Sequence, residues 1–268
     1  VLCVRVTRVI YWLNLIQGCA NHGKTRAVTQ KEKSRSTAAP MQLPLGISLR
    51  DDARFENFVR GRNGLVCAAL EKAASGFGEQ YLFLWGHAGT GCSHLLQSCC
   101  HASDPVRRSA VYLPLAELKS CGPQLLENFD QLDLVCIDNL EQIAGDAEWE
   151  EAVFHLYNRM RANGHVLILA ASLPPAKLGI KLADLESRLN WGMVFQLQAL
   201  DDDTKVVALK ARAHARGLQL GDDVIRYLMH HGSRNMAHLL VTLDELDVAS
   251  LSAQRKITVP FVKQVMNW

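Results

Sequence analysis

No two cysteines in this sequence are spaced C-x-x-C, and no histidines and cysteines share a metal-ligand spacing. Yet the 268 residues include eight cysteines, at 3, 19, 67, 92, 99, 100, 121 and 136. A zinc site therefore has no support, and a disulfide framework is not expected in a chain this long. Several thiols sit inside apolar runs, as Cys136 does in Leu134-Val135-Cys136-Ile137. Buried free cysteines of a reducing compartment behave this way, so a cytoplasmic location is expected. Long apolar runs are also missing. Val9–Ile16 is eight residues, against roughly 20 for a membrane span. Its flanks resemble a lipoprotein signal only faintly, because Asn14 interrupts the core and Gln17 stands where a small residue is preferred. Nor is there a broad excess of one charge. Of the net +2, residues 1–40 carry +6, with seven basic side chains against Glu32, which leaves −4 over the rest. A mildly acidic body does not hold DNA on a wide basic face, so any tie to DNA is expected through a partner.

What is present is soluble and globular in composition, 49% hydrophobic and 21% charged, with length for one large domain or two modest ones. Residues 1–40 open on Val1 and turn polar, basic and Ser/Thr-rich over Gly23–Pro40. They are expected to be a disordered leader or an extension upstream of the natural start. Met41 begins a different kind of sequence. Residues 41–50 form an arm, Met41-Gln42-Leu43-Pro44-Leu45-Gly46-Ile47, extended by its proline and glycine. One amide and three apolar side chains suit docking into a partner's groove; packing on its own domain is the plain alternative.

The chain is organised around Gln80–Leu96. Tyr81-Leu82-Phe83-Leu84-Trp85 has the residue types of a buried strand. It breaks into Gly86-His87-Ala88-Gly89-Thr90-Gly91-Cys92-Ser93, and a helix follows from Ser93 towards His101. Strand, glycine turn and helix make a phosphate cradle, in which backbone N–H groups converge on an oxyanion at a helix start. The spacing is that of a P-loop, with Gly86, Gly89, Thr90 and Gly91 in the turn and Ser93 as the usual magnesium ligand. Cys92 stands where the lysine belongs. Losing that charge-assisted contact costs about 1.5–3 kcal/mol. A pocket that binds weakly, or binds a diphosphate, and turns over poorly is the expected result; an ordinary glycine turn is the bland reading.

Further strands are expected at Ser109–Leu115, Leu132–Ile137, His165–Ala171 and Met193–Leu197. Helices are expected at Gly64–Ala74, Ala116–Phe129 (restarted at Gly122-Pro123) and Asp146–Asn163. This alternation predicts an α/β fold with a five-stranded parallel sheet over 51–198. Residues 199–268 read as four helices, a small all-helical lid, at Asp203–Arg216, Asp222–His231, Asn235–Ala253 and Val259–Asn267. Asp138, at the tip of the third strand, is where a Walker B carboxylate helps hold magnesium. The next residue, Asn139, accepts a hydrogen bond but takes no proton, so a general base is missing there, and Glu141 is a poor substitute. Ser172, ending the fourth strand, is placed to sense a γ-phosphate or simply to cap a turn.

P-loop, Asp138, Ser172, Arg188 and helical lid, in that order, resemble the AAA+ ATPases over Met41–Trp268, within them the DnaA-like initiators, and more narrowly the Hda-type regulators that inactivate DnaA. The marks are Gln42-Leu43-Pro44-Leu45-Gly46-Ile47, Phe55-Glu56-Asn57-Phe58-Val59, Cys136-Ile137-Asp138-Asn139, Ser187-Arg188-Leu189-Asn190-Trp191-Gly192 and the tail from Ala253 to Lys263. The resemblance implies a regulator of replication initiation, bound through Gln42, Leu43, Leu45 and Ile47 to the DNA polymerase III sliding clamp (its beta subunit) on DNA. It implies that Arg188 enters DnaA's ATP site in trans as an arginine finger, worth roughly 10³–10⁵ in rate. It further implies bound ADP, with magnesium at Ser93 and Asp138, no intrinsic ATPase of note, DNA contact only through partners, no membrane and a possible homo-oligomer. Two cations of the family are replaced, by Cys92 in the P-loop and by Ala237 in the lid. An ion pair with Asp184 or Glu186 is the ordinary alternative for Arg188. An autonomous ATPase or DNA-loading factor of the DnaA/DnaC kind is the rival function, and an unrelated nucleotide-binding module a third.

Overall fold

The computed structural model describes residues 48–233 and 235–268. Five strands, β1 (Tyr81–Trp85), β2 (Ala110–Pro114), β3 (Leu134–Asp138), β4 (Val166–Ala171) and β5 (Met193–Gln196), form one parallel sheet in the order β2-β3-β4-β1-β5. Sequence pattern and position agree. The inner strands β3 and β4 are buried at every residue, as are the first four of β1; strands covered on both faces need continuous apolar runs. The edge strands are less covered, and β5 leaves Met193 and Val194 exposed. β1 pairs with β4 from Tyr81↔Leu167 to Trp85↔Ala171, and with β5 from Leu82↔Met193 to Trp85↔Gln196. Its carboxyl end therefore opens between two neighbours, the place where open α/β sheets bind ligands.

Five helices accompany the sheet: α1 (Gly64–Ala74), α2 (Cys92–Ser103), α3 (Leu115–Leu118), α4 (Ala147–Asn163) and α5 (Ala183–Leu189). Helix α4 starts at Asp146, whose carboxylate accepts from Trp149 N–H, and stops at Gly164 in the left-handed region (φ 73°), the usual pair of boundary residues. The helix expected over Ala116–Phe129, restarted at Gly122-Pro123, does break at Gly122 but is α-helical only to Leu118 and does not resume as an α-helix. Helix α3 ends at Leu118 and gives way to three 3₁₀ turns, Lys119–Cys121, Pro123–Leu126 and Phe129–Gln131. Gly122 takes φ 84° and Asn128 φ 69°, both outside helical space, and Pro123 has no N–H to continue the ladder. Tertiary bonds supply the compensation. Asp130 accepts from Arg159 Nε (3.0 Å), and its carbonyl oxygen from Asn163 Nδ2 (3.0 Å).

The lid is α6 (Asp202–Ala215), α7 (Asp222–His231), α8 (Met236–Ala253) and α9 (Val259–Met266). Its own core is Val224, Leu228, Leu246, Ile257, Phe261 and Val262. Polar contacts that join lid and sheet domain include the Arg212–Asp52 ion pair and a bond from Asn235 to the P-loop. Of the described residues, no helix is long and apolar enough to cross a membrane. All six described cysteines are free, and Cys136 has no exposed surface.

Candidate nucleotide site and Arg188

The glycine turn leaves the carboxyl end of β1 and is closed on itself. Thr90 donates both its N–H (3.1 Å) and its hydroxyl (2.8 Å) to the carbonyl of His87. Gly86 N–H donates to Ala171 O on β4 (3.2 Å). A Cβ on Gly86 would lie 2.5 Å from Thr90 Oγ1, and Gly91, at φ 101°, has the Phe58 ring where its Cβ would be. Helix α2 begins at the next residue. The structure thus brings Gly86, Gly89, Thr90, Gly91, Cys92 and Ser93 together as a tight turn opening a helix, the form of a phosphate cradle. Ser93 is exposed.

Cys92 contributes no charge to this cradle. Burial pushes its thiol up to about 12, the carboxylates of Asp138 and Glu141 add to the rise, and the Thr90 hydroxyl, 3.8 Å from the sulfur, opposes it. The thiol is neutral at every ordinary pH, so it neither attracts nor repels a phosphate by charge.

Asp138 is buried at the tip of β3 with both oxygens engaged. Oδ1 accepts the Asn139 N–H (2.9 Å) and Oδ2 the Tyr112 hydroxyl (2.7 Å). Burial and the neighbouring Asp138 carboxylate drive the Tyr112 phenol well above its ordinary range, so it stays a donor. Asn139 sits at φ 57° and opens the 3₁₀ turn Leu140–Ile143. Glu141 reaches across to β4, where its Oε2 accepts the Ser172 N–H (3.1 Å). The carboxylate nearest to a general base is thereby tied to backbone, and Ser172 is held through its amide.

The lid reaches the cradle through a residue the sequence marked only as a helix start. Asn235 caps α8 by accepting the Ala237 N–H (2.8 Å), and its Nδ2 donates to Ala88 O in the P-loop (2.8 Å). Its side chain lies directly over Gly89, where any Cβ would collide with it. Ala237 is exposed and uncharged, and His238 is bonded to Ser233 (3.1 Å). Neither Asn235 nor Tyr112 carried a sequence signal for these contacts, which join residues 147 and 26 positions apart.

Arg188 lies at the other end of β1. It is in the last turn of α5, and the carbonyl of Leu189 beside it accepts the Tyr81 hydroxyl (3.3 Å). Tyr81 begins the strand whose far end is the P-loop, about 16 Å away at strand rise. The Arg188 guanidinium lies 5.4 Å from the Trp191 ring centroid and 5.9 Å from that of Tyr157. Among the ion pairs of the described residues, none involves Arg188, so the pairing with Asp184 or Glu186 is not formed. Trp191 is half exposed and stacks on Arg161 as well, at 4.1 Å. Gln42, Leu43, Leu45 and Ile47 lie outside the described residues.

A P-loop on a five-stranded parallel sheet, a buried acid at the neighbouring strand tip and a helical lid touching the loop define an AAA+ type of nucleotide-binding domain. The chain belongs to the DnaA family within that class: the family model for the bacterial DnaA ATPase domain matches residues 49–196, and that for the Hda lid domain matches 202–266. The fold is similar to domain III of the Thermotoga maritima replication initiation protein DnaA, with a TM-score of 0.74 at 22% identity, covering 82% of this chain and 98% of that one. It is also similar to AMPPCP-bound DnaA from Aquifex aeolicus (TM-score 0.65, 23% identity, 76% and 68% covered) and to Thermotoga maritima RuvB (0.59, 14%, 80% and 68%).

Two measurements check the electrostatics of the cradle. With its thiol held up to about 12, Cys92 should react with iodoacetamide at pH 8 about a thousandfold more slowly than a free thiol of ordinary pKa. The rate should climb about tenfold per unit between pH 8 and 10; a fast, pH-independent reaction read by peptide mapping contradicts a neutral thiol with a raised pKa. Cys92→Arg should tighten nucleotide binding, with ADP as the calorimetric probe, about ten- to a hundredfold, and an unchanged Kd contradicts the missing-cation account.

Proposed function

We propose that this chain is a regulator of replication initiation that stimulates ATP hydrolysis by a DnaA partner, with Arg188 supplied in trans. The observation that carries this reading is the placement of one guanidinium. Among the described residues Arg188 has no acidic partner; it rests on two aromatic rings and lies near the amino end of β1, about a strand length from its own P-loop. That separation argues against service to its own nucleotide, and the guanidinium beside the half-exposed Trp191 would be offered to a docking partner. A guanidinium brought to a γ-phosphate neutralises charge that builds up as the phosphoryl group departs.

The chain's own pocket supports the same division of labour. Its glycine cradle fits the phosphates of a nucleotide, and we assign it ADP as a conformational ligand. Asn235, bonded to Ala88, would report occupancy of the loop to the lid. Ser93 and the lone pairs that Asp138 has left over could complete a hydrated magnesium ion, which would add charge neutralisation at the phosphates. Turnover has little help: Cys92 is neutral, Asn139 is no base, and Glu141 is bonded to Ser172. An autonomous ATPase or DNA-loading factor would need those groups. The arm 41–50, with Gln42, Leu43, Leu45 and Ile47, would tether the molecule to the sliding clamp on DNA, so that DNA is engaged indirectly, in the cytoplasm.

Arg188→Ala should leave clamp binding intact and lower the maximal stimulation of DnaA–ATP hydrolysis by roughly 10³-fold or more; stimulation at the wild-type level refutes the finger. Replacing Gln42 and Leu43 together by alanine should abolish binding to immobilised clamp in surface plasmon resonance, and an unaltered affinity refutes the tether.

A further inference from the structure

The chain travels from the nucleotide pocket to Arg188 through residues 172–182, whose one helical turn is Pro175–Lys177. Such a segment would leave α5 loosely placed unless something else held it. Glu150, in the first turn of α4, supplies the hold. It is completely buried, and no ion pair of the described residues includes it. Its oxygens are spent on backbone instead. Oε1 accepts from Gly145 N–H (2.6 Å) and Lys181 N–H (3.2 Å), and Oε2 from Lys181 N–H (2.9 Å) and Leu182 N–H (2.8 Å). Leu182 is the N-cap of α5, so the carboxylate satisfies donors at the point where that helix starts.

Stability alone gives a weak reason for this group. A buried carboxylate carries a heavy desolvation penalty, and apolar residues of like volume often replace buried charges without loss. Direction is what the carboxylate adds, because four short contacts fix both the place and the tilt of the α5 start. The same α4 carries Tyr157 two turns further on. That ring lies under Arg188 (5.9 Å) and meets Tyr81 edge-on (4.9 Å), whose hydroxyl holds Leu189 O. Helix α4 thus holds α5 at its start through Glu150 and supports its end through Tyr157.

We propose that Glu150 is a positioning residue for Arg188: by gripping the Lys181 and Leu182 amides it sets the angle at which the guanidinium is offered to the partner. The proposal rests on Arg188 acting in trans. Misplacement of a reacting group by about 1 Å can cost about 10²-fold in rate, and that is the size of effect to expect.

The test uses the full chain with clamp-loaded DNA and DnaA–ATP, comparing wild type, Glu150→Gln, Glu150→Asp and Arg188→Ala. Glutamine keeps the volume but turns one acceptor into a donor facing N–H groups. Aspartate keeps the charge but withdraws both oxygens by one carbon, so a folding failure in one variant leaves the other to judge. The expected result is a maximal stimulated rate about ten- to a hundredfold lower with half-saturation unchanged within about twofold, and faster hydrogen exchange at Lys181 and Leu182 with the sheet amides unaltered. Faster exchange with an unchanged maximal rate overturns the proposal. So does a change confined to half-saturation, which would make Glu150 a docking residue, and so does undiminished protection at Lys181 and Leu182. If Arg188→Ala itself keeps full stimulation, the trans reading has failed, and the proposal falls with it for a reason the Glu150 variants do not create.

Discussion

One strand sets the distances in this molecule. β1 is hydrogen-bonded along both sides, to β4 and to β5, and cannot shift without breaking two ladders. At its carboxyl end the backbone turns into the glycine cradle; at its amino end the Tyr81 hydroxyl holds the last turn of α5. Parallel pairing fixes which end is which, because all strand ends of one polarity lie on one side of the sheet. The nucleotide pocket and Arg188 are therefore kept apart by a length the fold does not let vary. That separation is what the proposed action of Arg188 in trans rests on.

Around the pocket, hydrogen bonds take the roles that cations and bases would play in a hydrolysing site. The neutral thiol of Cys92 lies in the field of Asp138 and Glu141. Tyr112 and Asn139 bond to Asp138, Glu141 bonds to Ser172, and Asn235 joins the lid to Ala88. Each of these bonds orders the site without supplying a group that moves a proton to or from water. Preorganised donors of this kind stabilise a bound state; acceleration needs interactions that strengthen as the reaction proceeds. Under the proposed function, a ligand there would act through the lid, which touches the loop at Asn235.

How much of this could be read in the sequence follows from the range of each interaction. The strands, the P-loop, Asp138 and the four lid helices were legible because their signals are local: unbroken apolar runs, glycines at fixed offsets, an acid after four apolar residues. In the segment after β2 the break at Gly122-Pro123 is legible, but the loss of α-helix beyond it is not, because the positive φ at Asn128 belongs to a tertiary arrangement fastened by Asp130 to α4. Asn235 looked like a helix cap and is one, but its second bond, to a carbonyl 147 residues earlier, leaves no trace in neighbouring letters. Glu150 is the extreme case. In sequence it is one of two adjacent glutamates at the start of an amphipathic helix, indistinguishable from Glu151, which is exposed and only 3.4 Å from His155. Helix phase decides which of the two turns inward, and the fold decides what it meets there.

The contrast between those two glutamates bears on what the domain is arranged to do. A surface carboxylate such as Glu151 contributes little to stability, whereas an inward one is tolerated only where its donors are in place. Here the donors come from the connection leading to α5, so the cost of burying Glu150 is offset only when that helix is correctly seated. Seating α5 also seats Arg188, whose charge meets no acid among the described residues and is braced by aromatic faces that attract it without neutralising it. An ion pair to Asp184 or Glu186 would have satisfied the same guanidinium locally and withdrawn it from other use. The backbone under Arg188 is held by the Tyr81 hydroxyl on Leu189 O while its guanidinium forms no ion pair among the described residues, a combination that suits the role in trans proposed above.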